Sequence, residues 1–181
     1  MLVGLTGYAQ VGKDTAADAL VGWERIGFAD ELRAMTEKLD PYLKPNPGFG
    51  NMPRRYSEVM ATDGYEWAKK HTDLRRFLVT LGPGMRELNN DIWVRPVALA
   101  IVSGPRDIVV TDVRYHNEAK MIKELGGRII HILRPGYGPA NKEEEHSISL
   151  LTKVLPTIPV LNEGTIEELH AKVREEARYR G

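Results

Sequence analysis

The stretch MLVGLTGYAQVGKDTAADAL at the start of the chain constrains the fold more than any other. Leu2 to Thr6 is a short apolar run of the kind that forms a buried strand, and Gly7 ends it. Asp14 to Val21 carries Ala16, Ala17, Ala19 and Leu20, good helix formers, with acidic residues near its start where the helix dipole favours them. Between the two, Gly7, Gly12 and Lys13 fall at the spacing G-x-x-x-x-G-K. Strand, glycine-rich loop and helix in this order form a cradle in which backbone N–H groups point inward, the helix dipole adds positive potential, and the lysine neutralises phosphate charge. A strand-to-helix turn with a surface lysine would leave the two spaced glycines and the lysine unexplained together.

The residue after Lys13 departs from the usual pattern, in which Ser or Thr holds magnesium. Here it is Asp14, followed by Thr15. A carboxylate beside a polyphosphate needs a cation between them, so Asp14 is a candidate magnesium ligand, direct or through water. The alternative is that Asp14 only caps the helix. Thr15 can offer its hydroxyl and backbone N–H to a phosphate nearer the nucleoside.

The rest of the chain alternates strands and helices. Trp23 to Phe28 reads as a second strand, and a helix capped by Asp30 runs to Leu39. DPYLKPNPGFGNMP, from Asp40 to Pro53, is an irregular excursion rich in Pro and Gly. Arg54 to Leu88 is helical in pattern, with expected interruptions at Asp63-Gly64 and at Gly82-Pro83-Gly84. Ile92 to Val102 reads as a buried apolar helix. Strands are expected at Asp107 to Thr111, Arg128 to Leu133 and Thr157 to Leu161, and helices at Asn117 to Leu125 and Thr165 to Tyr179, the last opened by a capping box from Thr165 to Glu168. Tyr137 to Glu145 is polar and holds Glu143, Glu144 and Glu145. The pattern is that of an α/β fold with a mostly parallel sheet.

Composition removes several function classes. At 181 residues the chain suits one well-buried domain. Lys plus Arg equals Asp plus Glu, 25 each, so the basic excess of a duplex nucleic-acid binder is absent and an anionic partner should be small. There is no cysteine, hence no disulfide framework or thiolate metal site, and the five histidines show no zinc spacing. No apolar stretch approaches the roughly 20 residues needed to span a bilayer, and no signal peptide is expected. A soluble cytoplasmic protein with no membrane partner is the expectation.

Asp112 follows a β-branched strand that should lie beside the first, where an acidic residue can hold magnesium or its water. Arg114 then stands at the crevice mouth, or forms a surface ion pair with Glu118. Arg33, Arg86 and Arg134 follow helix starts, loop breaks or strand ends, and guanidinium offers phosphate paired donors and permanent charge. Trp93 could stack a base or belong to the core.

These segments resemble the phage-type deoxynucleoside monophosphate kinases, within the phosphate-loop nucleoside monophosphate kinases. The likeness rests on GYAQVGKDTAAD, FADELR, LGPGMRELNNDIWV, VVTDVRYHNEAKMIKELGG, and HILRPG followed by EHSIS. G-K-D-T looks like that family's form of the loop, and D-V-R-x-x-N-E is a second signature. The resemblance implies a single three-layer phosphate-loop kinase domain with a mostly parallel five-stranded sheet. Its core would span about 1–30 and 104–181, a helical monophosphate-binding insertion about 31–103, and a short lid about 134–146. It implies ATP as phosphoryl donor, Mg²⁺, and a deoxynucleoside monophosphate as acceptor, in the host cytoplasm if the source is a phage.

Carried onto this sequence, Gly7, Val11, Gly12, Lys13, Asp14, Thr15 and Arg134 would hold ATP, with Asp14 and Asp112 at the metal. Arg33 and Arg86 would meet the acceptor phosphate, with Ala9, Asp30, Trp93 and Arg114 near the acceptor, and Lys13, Asp112, Arg114 and Arg134 would serve transfer. Ala9 and Gln10 fill loop positions where a basic residue is expected, and the lid has no arginine after Arg134. Two rivals stand beside this: another small-molecule kinase such as a dephospho-coenzyme A kinase, and a non-enzymatic ATP-binding module. Whether the chain forms a homodimer stays open.

Overall fold

The computed structural model describes residues 1–50, 52–104 and 107–178. β1 (Leu2–Thr6) leads through the glycine loop into α1 (Lys13–Asp18), and β2 (Glu24–Ile26) into α2 (Phe28–Leu39). There follow β3 (Tyr42–Leu43), β4 (Arg54–Arg55), α3 (Tyr56–Thr62), α4 (Tyr65–His71), α5 (Leu74–Leu88) and α6 (Val94–Ser103). The second half holds β5 (Ile108–Val113), α7 (His116–Glu124), β6 (Arg128–Leu133), α8 (Lys142–Val154), β7 (Ile158–Leu161) and α9 (Ile166–Arg178). The chain divides into two compact units, Met1–Phe28 with Val94–Gly181, and Ala29–Trp93.

The first unit is built on a five-stranded sheet of order β2-β5-β1-β6-β7, in which every pairing is parallel. Alternation along the strands feeds two layers of helix. Val3, Leu5, Ile130 and Ile132 join Ala16, Ala17, Leu20, Leu169 and Val173 in one core on the side of α1 and α9. On the other side Gly4 lies against Ile122 of α7 and Ile129, so tightly that a Cβ there would meet them at 2.8 and 2.9 Å. The α/β expectation is met as three layers with a five-stranded sheet. The second unit packs Leu43, Tyr56, Val59, Ala68 and Leu74 around a core of its own. Among the described residues no helix is long and apolar enough to cross a membrane.

Several expected boundaries differ. α5 is not interrupted at Gly82-Pro83-Gly84; the helix carries Pro83 inside it, on its exposed side. Proline removes one i→i−4 bond and crowds the preceding turn, a cost that the packed face of a long helix can absorb. α6 is not buried all round: Val94 and Val97 are, whereas Leu99 and Val102 are 68% and 69% exposed. β5 runs past Thr111 to Val113 and so includes Asp112. The polar run from Tyr137 to Glu145 gives way at Lys142 to α8, whose N-cap is Asn141 accepting the Glu144 N–H at 2.8 Å. The expected end of the last helix at Tyr179 lies outside the described residues.

Candidate active site

The loop between β1 and α1 has the backbone that its glycines suggest. Gly7 has φ 137°, and a Cβ there would meet the Ile132 carbonyl oxygen at 2.4 Å. Gly12, the N-cap of α1 at φ 99°, passes the Asn162 side-chain amide so closely that a Cβ would lie 2.6 Å from its nitrogen. Asn162 donates from Nδ2 to the Val11 carbonyl at 2.8 Å, and its own N–H bonds the Leu133 carbonyl at 2.7 Å. The loop is thereby tied to the end of β6. Val11 is buried in the core, so any ligand contact it makes is through the backbone.

Lys13 turns back over this loop. Its Nζ donates to the carbonyls of Gly7 and Tyr8 at 2.8 and 2.7 Å. Burial, then the Arg114 guanidinium, pushes the ammonium below its ordinary pKa, while the Glu144, Asp14 and Asp112 carboxylates push it up. One basic and three acidic groups, from α1, the end of β5 and α8, are therefore gathered around one amine. Asp14 lies exposed in the first turn of α1, whose N-cap is Gly12; it is not the cap. Thr15 has its carbonyl fixed by His170 Nε2 at 2.8 Å.

Asp112 sits where β1 and β5 fall out of step: β1 advances from Gly4 to Thr6 while β5 advances from Val110 to Val113. Such irregularities re-aim side chains at strand ends. Its Oδ1 accepts the Phe28 N–H at 2.8 Å. Beyond it, the backbone N–H groups of Arg114 and Tyr115 donate to Glu118 Oε2 at 2.8 and 3.0 Å, with Glu118 only 1% exposed. Glu118 thus braces the turn that presents the exposed Arg114. Arg134 is exposed and lies over the Tyr137 ring, 4.5 Å from its centroid.

In the second unit Arg33 pairs with Asp30 at 2.8 Å and lies over the Tyr65 ring at 5.1 Å. Arg86 is in the last turn of α5, inside the helix and not after a break, with Nη1 3.4 Å from the Asn90 carbonyl. Trp93 is 4% exposed and donates its indole N–H to the Gly82 carbonyl at 3.1 Å, which is the bonding of a core residue.

For magnesium, which retains much of its water and takes one or two carboxylates with phosphate oxygens, Asp14 and Asp112 near Lys13 are a fitting donor pair. Among the described residues no group of three or more His, Asp or Glu gathers as an all-protein metal cage.

A family model described as deoxynucleotide monophosphate kinase matches residues 51–173. The chain is also 30% identical, over 194 aligned positions covering 96% of it and 94% of the relative, to a protein of Acanthamoeba polyphaga mimivirus provisionally named deoxynucleotide monophosphate kinase. This chain belongs to the deoxynucleotide monophosphate kinase family. The fold of the kinase is shared with TT1252 from Thermus thermophilus, at TM-score 0.52 and 16% identity over 100% of this chain and 98% of that one. A dephospho-CoA kinase from Campylobacter jejuni matches at TM-score 0.44 and 13% identity, covering 97% and 96%, a likeness too distant to bear on the acceptor.

Family membership removes the non-enzymatic rival. The matched relative comes from a virus of an amoeba, not from a bacteriophage. In this kinase Lys13 and Asp14 at the start of α1 come together with Asp112 of β5 and Arg114 just after it, whereas Asp30, Arg33, Arg86 and Trp93 belong to the second unit. Three supporting residues were not singled out by the sequence reading: Asn162 directly after β7, Glu118 in α7, and Glu144 in α8. For Glu118 the signal was present, as the last letter of D-V-R-x-x-N-E.

Proposed function

We propose that this kinase transfers the γ-phosphoryl group of ATP, with Mg²⁺, to a deoxynucleoside monophosphate, giving ADP and the diphosphate. The observation that carries the proposal is Lys13, half-buried and turned over the glycine loop onto the Gly7 and Tyr8 carbonyls, with Asp14, Asp112 and Arg114 about it. Phosphate oxygens would replace those two carbonyls as the partners of Nζ. The N–H groups from Val11 to Thr15 would surround the β-phosphate, with Gly7 and Gly12 giving the backbone its close approach. Asp14 and Asp112 would hold Mg²⁺, which when bound supplies charge that offsets the bridging phosphate oxygens.

The acceptor phosphate oxygen is already a nucleophile at neutral pH, so no strong general base is needed. Alignment and charge neutralisation by Lys13, Arg114 and Arg134 would carry the rate. The second unit would bind the acceptor, through Arg33 and Arg86 at its phosphate. The segment from Arg134 to His146 would close over ATP and exclude water. Free nucleotides in the cytoplasm, with neither duplex nucleic acid nor membrane, are the partners that go with this chemistry.

The test is ADP release across the four deoxynucleoside monophosphates, with ribonucleotides and dephospho-coenzyme A as further arms. Wild-type protein should turn over at least one deoxynucleotide. Lys13→Ala should lose on the order of 10²–10³-fold or more in turnover, as for removal of one preorganised charge-stabilising donor, with unchanged thermal stability. Wild-type turnover in that variant would overturn the site assignment, and transfer only to dephospho-coenzyme A would overturn the acceptor.

A further inference from the structure

The polar stretch after β6 holds three glutamates in a row, and only the middle one is buried. Glu144 is 8% exposed, whereas its neighbours Glu143 and Glu145 are exposed. Both of its oxygens are used. Oε1 accepts the backbone N–H of Ala9 in the glycine loop at 3.0 Å, and Oε2 accepts the backbone N–H of Ala140 at 2.7 Å. Its position is set from behind, because its own N–H is capped by Asn141 and because Ile148 and Leu151, on the same helix, are buried. A carboxylate is an acceptor at both oxygens, so it can satisfy two N–H donors from two segments at once. A glutamine in the same pose would turn its amide N–H₂ toward one of the two donors.

The contact falls at the loop position where a basic side chain was expected and Ala9 stands instead. We infer that Glu144 is a positioning residue that clamps the loop before α8 onto the glycine loop, so that the shape of the phosphate cradle and the closure of the lid are set together. Its kinetic consequence rests on the ATP-dependent transfer proposed above; the clamp itself does not. A lid tied to the cradle moves when phosphate reshapes the cradle, and a lid cut loose admits water to the donor. The acidic character of this lid then has a structural cause, in that one glutamate serves the loop backbone and not the nucleotide.

The test uses Glu144→Gln and Glu144→Ala in the full chain. Amide exchange read by NMR without nucleotide should rise about tenfold or more at one of Ala9 and Ala140 in the glutamine variant, and at both in the alanine variant. The Phe28 amide, held by Asp112, is the internal reference and should keep its wild-type rate. With ATP, the ratio of acceptor-free hydrolysis to phosphoryl transfer should rise about tenfold, because exclusion of water is what the lid contributes. A merely structural role would lower both rates in proportion.

Wild-type exchange at Ala9 and Ala140 in both variants would overturn the clamp, as would an unchanged hydrolysis-to-transfer ratio in an active variant. If the wild-type protein turns over no nucleotide, the proposed function fails while the exchange measurement still decides the clamp. If the alanine variant does not fold, the glutamine variant, equal in size, carries the test.

Discussion

His131 faces Thr6 across the β1–β6 pairing, and each carries a buried polar atom, Nε2 and Oγ1, without a hydrogen-bond partner among the described residues. Burial, and then the charge of Lys13, lowers the pKa of the imidazole below its ordinary value. The unfolded chain therefore binds the proton more readily than the folded one, and stability rises with pH wherever that difference holds. Stability should fall as pH is lowered through the unfolded value of about 6.5 toward the lower folded value. Urea midpoints measured between pH 7.5 and 5.5 should show the decline, and His131→Leu should flatten it; equal slopes for the two proteins would refute the assignment. Neither His131 nor Thr6 was legible as special, because each sits inside an apolar run that reads simply as strand. Lys13, Gly7 and Gly12 were legible because loop geometry ties them to a fixed spacing. Asp14 was legible as a departure, and Gly12 at the N-cap removes its reading as the helix cap.

α7 shows how one buried side chain starts a helix and shapes a site. Glu118 accepts two backbone N–H groups from the turn after β5, and both would be left without that acceptor if it were removed. Glu118→Ala should cost on the order of 2–4 kcal/mol in chemical denaturation, as expected for two donors stripped of a buried partner. Turnover under conditions where the variant is fully folded should fall as well, because Arg114 loses its bracing; a variant as stable as wild type would sink this account. The helix itself was readable to within a residue at each end, since its apolar face and the Gly126-Gly127 stop are local signals. α8 was not, because its first turn is all charge and its buried face is carried by few apolar residues, among them Ile148 and Leu151. α5 failed in the opposite direction. Gly-Pro-Gly is a strong breaker locally, yet the helix continues, with the Gly82 carbonyl also receiving the Trp93 indole N–H.

The inserted unit has a core independent of the sheet, centred on Leu74, which is fully buried. Leu74→Ala should destabilise by about 2–5 kcal/mol, the range for a leucine cavity. Amide exchange should show protection lost within Ala29–Trp93 while β1 and β6 keep theirs; equal loss in both would mean that the two units open as one. The layered α/β architecture was legible because apolar strands alternate with helices. Strand order was not, since parallel pairing between distant segments leaves no local trace. That distance matters on the ribosome. β1 is synthesised well before either neighbour, since it pairs Leu2 with Ile108 and Val3 with Arg128. The phosphate cradle therefore waits, its apolar strand unsheltered, until β5 and β6 have been translated. Folding limited by such long-range closure is slow and exposed to aggregation, so the nascent chain is the form of this kinase most in need of a chaperone.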